Sequence, residues 1–296
     1  MQAITGVNYP AWGESFRFTK DRVVRTGAAI RRAGAYAMEL PADVLAFPCP
    51  DKTATELYKR DIQVVGTYFG CPAGGQDTPD WIDQTELNID AMKNLFPELK
   101  FGCLHPWGEP NSPSKLVDAM VQAQLEVAKY AFEHHNIRLG VHTHYGTAIQ
   151  PVENLRRCID AIGSADFEGL GLIIDTGHLH SVGDAYFDII GEASGILLPY
   201  AHLKARLSRL DRKDHLHYRA DEDPWDSETD MGMVAPDTPG HETPFAEVIE
   251  FYRSLDETIL AMIELDTPRR EPEVEIPADV DYFVNKHGLK IWEPEE

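Results

Sequence analysis

The chain has 296 residues, 43% of them hydrophobic, and a formal net charge of −22. That length suits one α/β barrel, which typically takes about 250 residues, and so negative a chain repels nucleic-acid phosphates and anionic membranes. No apolar run approaches the roughly 18 residues of a membrane helix, and the first residues lack the basic and apolar regions of a signal peptide, so a cytoplasmic location is expected.

Short apolar runs alternate with amphipathic stretches. In chain order the reading is strand 3–8, helix 20–33, strand 35–40, helix 53–60, strand 62–69, helix 81–95, strand 99–105 and helix 113–134. Strand 137–144, helix 151–162, strand 170–175, helix 184–193, strand 197–204, helix 244–255 and strand 258–266 follow, with a final helix after Pro277. Eight strand–helix repeats argue for a parallel (β/α)8 barrel. A doubly wound open sheet would carry a glycine-rich phosphate turn after its first strand, and Gly6-Val7-Asn8-Tyr9-Pro10 is not one. The reading is a single domain over 1–296. Its 205–243 segment, with Arg209, Arg212, His215, His217, Trp225 and Asp226, would fold over the barrel mouth as a lid. Cys49, Cys71, Cys103 and Cys158 form no C-x-x-C pair and read as buried free thiols.

Barrel active sites lie at the C-terminal ends of the strands. Here the fifth strand ends in His142-Thr143-His144, the sixth in Asp175-Thr176-Gly177-His178, the seventh in His202-Leu203-Lys204 and the eighth in Glu264-Leu265-Asp266. Residues two apart on a strand share a face. His142 with His144, His202 with Lys204, and Glu264 with Asp266 would therefore point alike, and the choice of His142 or His144 stays open. Singly, a strand-end aspartate caps the next helix, a histidine bonds within a core, and a glutamate forms a salt bridge. Four consecutive strands ending this way instead suggest imidazoles and carboxylates aimed at one cation. Such mixed donors suit manganese, cobalt, zinc or iron, and magnesium less readily.

The motifs Asp175-Thr176-Gly177-His178, His202-Leu203-Lys204 and Ile263-Glu264 resemble those of the xylose-isomerase-like barrels. That group includes sugar phosphate isomerases and epimerases, ketose 3-epimerases, inosose (2-keto-myo-inositol) dehydratases and hydroxypyruvate isomerases. The resemblance runs from Gly6 to Asp266, and His142-Thr143-His144-Tyr145-Gly146-Thr147 is most similar to the inosose dehydratase branch. It implies one divalent ion, manganese first, held by His142, Asp175, His202 and Glu264, with His178 on substrate hydroxyls. Ketose epimerases carry a glutamate on the fifth strand as ligand and base. Here His142 stands in that place, a departure that counts against a two-glutamate proton shuttle. Ala205 stands where an acidic residue often follows the His-x-Lys motif.

The chemistry expected is proton removal beside a carbonyl, with the cation as Lewis acid. His142, His144 or Glu264 would be the base, and Lys204, His178 or His105 the acid for a leaving β-hydroxyl. A lyase acting on a keto-sugar or keto-polyol is the first reading. A sugar isomerase or 3-epimerase is the alternative, and a non-catalytic sugar-binding barrel a minor one. A DNA repair endonuclease shares this barrel type, but the extra zinc ligands are missing and the charge has the wrong sign. His105, Glu39, Arg206 and Trp107 are expected to touch substrate, and Tyr9, Trp12 and Tyr68 to join Trp107 in an apolar wall. The substrate expected is a non-phosphorylated sugar or cyclitol. Self-association and a small partner subunit, as in a related C-glycoside-eliminating branch, are both left open.

Overall fold

The structure, a computed structural model, describes residues 4–8, 19–70, 78–207, 232–255, 258–265 and 270–294. In chain order its elements are β1 (Ile4–Asn8), α1 (Lys20–Arg32), β2 (Ala37–Pro41), α2 (Pro50–Tyr58), β3 (Gln63–Phe69), α3 (Thr78–Leu95), β4 (Phe101–Leu104), α4 (Ser114–His135), β5 (Arg138–His142) and α5 (Val152–Ala165). Then come β6 (Leu170–Ile173), a 3-10 turn (His178–Ala185), α6 (Tyr186–Glu192), β7 (Tyr200–Leu203), β8 (Ala205–Leu207), β9 (Gly232–Val234), α7 (Phe245–Ser254), β10 (Leu260–Glu264) and α8 (Pro272–Asp281). They fall into two compact units, a terminal one (Met1–Leu40, Ala46–Gln63, Ala201–Glu296) and a central one (Pro41–Leu45, Val64–Tyr200).

In the terminal unit the strand order is β2-β1-β10-β7. β1 runs parallel to both neighbours, and its register pairs Asn8 with Glu39 on one side and with Glu264 on the other. Glu39, midway along β2, and Glu264, the last residue of β10, are thereby set level across β1. α1 packs against α8. It buries Val23, Thr26, Ala29 and Ile30, the three- and four-residue spacing of a helix with one apolar face. Thr19 precedes it in extended conformation, Asp21 lies in its first turn, and Arg31 and Arg32 lie in its last, which matches the helix dipole.

In the central unit the order is β6-β5-β4-β3, all parallel where the register is defined. α4 packs between α3 and α5. It buries Val117, Met120, Val121, Gln124, Val127, Ala128 and Ala131, and it stops at Asn136, which takes the left-handed conformation at φ 54°. Gly171 in β6 permits a close approach, because a Cβ there would lie 2.6 Å from the Ile196 carbonyl oxygen.

Two expectations change. α8 begins at Pro272, and Pro277 lies inside it. Pro272 has no amide to lose at a helix start and its φ is already helical, so it nucleates where a proline inside the helix would only interrupt. Cys49 is exposed, while Cys103 and Cys158 are buried free thiols; Cys49 immediately precedes α2, outside the apolar spacing that drives burial. At the edges of the segment read as a lid, β8 and β9 pair antiparallel, Ala205 with Val234 and Leu207 with Gly232. Residues 208–231, with Arg209, Arg212, His215, His217, Trp225 and Asp226, lie outside the described residues.

Candidate metal-ligating and proton-transfer residues

The terminal unit brings Glu39, His202, Lys204 and Glu264 together. His202, on β7, is fully buried; its Nε2 lies 3.1 Å from Glu39 Oε2 and its Nδ1 2.6 Å from Glu264 Oε2. Lys204, just past the end of β7 and also fully buried, places Nζ 2.7 Å from Glu264 Oε1. Each Glu264 oxygen thus faces a nitrogen donor. Burial alone would lower the His202 imidazole, but the Glu39 and Glu264 carboxylates on either side outweigh it and hold the ring well above its usual value. Glu39 was expected to meet substrate. Its Oε2 bonds His202, because the register of β2 and β10 against β1 turns both carboxylates onto one ring.

The central unit pairs His142 with Asp175. His142 is the last residue of β5, and its Nε2 lies 3.3 Å from Asp175 Oδ2. Asp175 Oδ1 accepts from the backbone N–H groups of Gly177 and His178, each at 2.8 Å. The Asp175 N–H in turn donates to Thr143 Oγ1 at 2.9 Å. The capping and ligand readings of Asp175 therefore use different oxygens. His144 falls beyond the end of the strand, with Nδ1 2.5 Å from the Tyr145 carbonyl oxygen. Its ring centroid is 3.9 Å from that of His178 and 4.5 Å from that of His105. His105 Nδ1 is hydrogen-bonded to the Tyr68 hydroxyl, and burial pushes this imidazole down to about 4.

One further expectation shifts. Trp107 is only 1% exposed and packs edge-to-face on Trp81 at 5.1 Å, so it belongs to the core rather than to a substrate wall. Arg206 directs Nη1 to Glu242 Oε2 at 3.4 Å. Tyr9, Trp12 and Asp266 lie outside the described residues. Sequence reasoning did not single out Thr143, since nothing in a His-x-His spacing says that the middle side chain meets the neighbouring strand. Nor did it pair Tyr68 with His105, which are 37 residues apart.

These donors fit a divalent ion. Ligand atoms bound at about 2.1 Å in tetrahedral or octahedral geometry lie about 3–3.5 Å from one another, and the His142 and Asp175 atoms are 3.3 Å apart. At His202 the Nε2 proton has its acceptor in Glu39, the second-shell arrangement that leaves Nδ1 to ligate. An ion at Nδ1 would replace a hydrogen bond to Glu264 with shared coordination.

Residues 28–286 match the family model for the xylose isomerase-like TIM barrel. No curated protein matches the sequence. Among solved structures, the probable 3-DHS dehydratase AsbF of Bacillus anthracis superposes with a TM-score of 0.67 at 14% identity, over 96% of this chain and 99% of that one. The IOLI protein, solved with a bound zinc atom, gives 0.67 at 12% identity, over 96% and 97%. The D-psicose 3-epimerase of Clostridium cellulolyticum H10, solved with D-tagatose, gives 0.67 at 14% identity, over 98% and 100%. At such identities the likeness establishes the (β/α)8 barrel fold. Among the described residues, no helix is long and apolar enough to cross a membrane.

Proposed function

The chain belongs to the xylose isomerase-like TIM barrel family, and on that premise we propose that it is a metal-dependent lyase acting on a keto-sugar or keto-polyol by proton abstraction beside the carbonyl. From the sequence motifs, the ligands proposed for the catalytic ion are His142, Asp175, His202 and Glu264. Manganese is the first choice, and cobalt, magnesium, zinc or iron are compatible with the same nitrogen and oxygen donors. When bound, the ion supplies Lewis acidity at the substrate oxygens.

The chain's own residues divide the remaining work. Glu39 holds the Nε2 proton of His202 and so fixes the ring that ligates. Glu264, or His144 just past the fifth strand if His142 ligates, takes the carbon-bound proton. Lys204, charged beside Glu264, gives a proton to the departing β-hydroxyl. The observation that carries the lyase reading is this buried Lys204–Glu264 contact at 2.7 Å, together with an imidazole, His142, where an epimerase would hold its second carboxylate. A sugar isomerase or 3-epimerase using the same ion is the second reading. It is favoured by the likeness to a D-psicose 3-epimerase, as the first is by that to a probable dehydratase. The substrate proposed is a neutral sugar or cyclitol, in keeping with the charge of −22.

A panel of keto-inositols and keto-sugars, run in deuterated water with manganese restored, tests this. Dehydration that stops on chelation supports the lyase. Deuterium uptake without dehydration moves the assignment to the epimerase. No turnover and no stoichiometric metal would end both.

A further inference from the structure

A second set of acidic side chains lies in the terminal unit, on residues that the proposed reaction does not use. Glu275 and Asp279 are four apart on α8, hence on one face, and both are fully buried. Asp237, between β9 and α7, completes the set: one oxygen from each of the three lies within 4.8 Å of the others. Arg270, just ahead of α8, grips Glu275 with two bonds, Nε to Oε2 at 2.7 Å and Nη2 to Oε1 at 3.0 Å, and reaches Asp237 Oδ2 at 2.5 Å. One guanidinium therefore meets two of three carboxylates.

Asp279 makes no hydrogen bond to this guanidinium among the described residues, and the Arg270 charge is the smallest of the effects on its carboxyl. Its Oδ1 accepts from the Asp237 backbone N–H at 3.0 Å. Its Oδ2 is buried with no hydrogen-bond partner among the described residues. An ionised carboxylate in such a place is among the costliest groups to bury without a counter-charge. Burial, and then the Glu275 and Asp237 charges, accordingly hold the Asp279 carboxyl well above its usual range.

We propose that Asp237, Glu275 and Asp279 form a binding site for a hard divalent cation, calcium or magnesium, separate from the histidine-bearing set. Oxygens sharing one calcium at about 2.4 Å can be at most about 4.8 Å apart, the limit within which these three lie. An all-oxygen donor set selects calcium or magnesium over the metals that imidazole favours. Arg270 orients two of the ligands but offsets part of their charge, so the affinity expected is modest, roughly 10⁻⁴–10⁻³ M as in weakly charged calcium sites. A bound ion would tie the connection between β9 and α7 to α8.

The test uses full-length Asp175→Asn protein, which silences the histidine-bearing set, freed of metal with EDTA and returned to buffered potassium chloride. Thermal unfolding is followed with and without ~10 mM calcium chloride, a concentration expected to raise Tm by about 3–5 °C at that affinity. The rise should vanish when Asp279→Asn is added. Asp237→Asn, at a partly exposed position, should abolish it too and decides the matter if the Asp279 variant does not fold. An equal rise in the double variants, or no rise in Asp175→Asn itself, overturns the proposal. So does an Asp175→Asn/Asp279→Asn protein more stable than its parent with neither responding to calcium, since Asp279 would then be a buried neutral acid.

Discussion

Glu39→Gln removes one negative charge from behind His202 and keeps the shape. In the wild type, Glu39 Oε2 lies 3.1 Å from His202 Nε2 with both side chains fully buried. Full ionic attraction at that distance would be about 5 kcal/mol at an effective dielectric of about 20. A hydrogen bond to a charged group is worth about 1.5–3 kcal/mol net, and the glutamine carbonyl can still accept weakly. A loss of about 1–3 kcal/mol in the hold on the ring follows. Carboxylates behind ligating histidines are worth about 10–100-fold in metal affinity, which is the same range of free energy. Chelator competition with manganese or zinc should therefore show affinity falling by about 10–100-fold in Glu39→Gln, with turnover largely regained at saturating metal. His202→Ala should lose the ion altogether. If Glu39→Gln binds as tightly as wild type while His202→Ala does not, Glu39 has no positioning role. If both bind normally, His202 is not a ligand.

Glu264→Gln takes the charged acceptor from Lys204 Nζ and His202 Nδ1 and should cut turnover by about 10²–10⁴-fold; undiminished turnover would exclude Glu264 from the chemistry. Removing divalent metal with a chelator should abolish turnover and restoring manganese should recover it, and full activity in verifiably metal-free protein would contradict the Lewis-acid step. His105, depressed to about 4 from 6.5, is protonated more readily in the unfolded chain. Its contribution to stability is thus complete above about pH 6.5 and is lost as pH falls towards 4, up to about 3 kcal/mol. Urea unfolding at both ends of that window should show the loss in wild type and a smaller one in His105→Phe; equal losses would refute it. Gly171→Ala sets a Cβ 2.6 Å from the Ile196 carbonyl oxygen and 2.8 Å from Leu198 Cγ. Since backbone cannot swing aside, a loss of about 2–3 kcal/mol is expected, and an unchanged denaturation midpoint would show that the segment relaxes freely.

Periodicity located the elements well and their ends less well. The expected helix 20–33 is Lys20–Arg32 in the structure because the apolar spacing and the Thr19 cap coincide. The expected strands 137–144 and 197–204 end at His142 and Leu203. Alternation continues past the last ladder hydrogen bond, and a pattern of side chains carries no record of where backbone pairing stops. His144 lies beyond the strand for that reason, yet its ring stays near His142, with centroids 5.5 Å apart, while it lies closer to His178 at 3.9 Å. The His202–Glu39 contact spans 163 residues; only strand register joins its two halves, and register is invisible in a composition or a motif. Trp107 shows the converse error, since an aromatic at a strand end looks the same in sequence whether it lines a pocket or, as here, fills the core.

The acidic balance of the chain conceals the more telling acids. At −22, any single aspartate or glutamate reads as part of a solvated surface, yet Glu39, Asp175, Glu264, Glu275 and Asp279 are all buried. Among the described residues Lys204 is the only lysine or arginine buried to the same degree. In the central unit, Asp175 has a neutral-capable imidazole and two backbone amides around it but no buried lysine or arginine. In the terminal unit Lys204 faces Glu264, and the partly exposed Arg270 serves Glu275 and Asp237, which leaves Asp279. Buried carboxylates in such excess must either take up protons or be met by cations from solution. The two alternatives separate experimentally at each unit: isosteric amides should be tolerated where a proton is held, and should abolish ion-dependent stabilisation where a metal is.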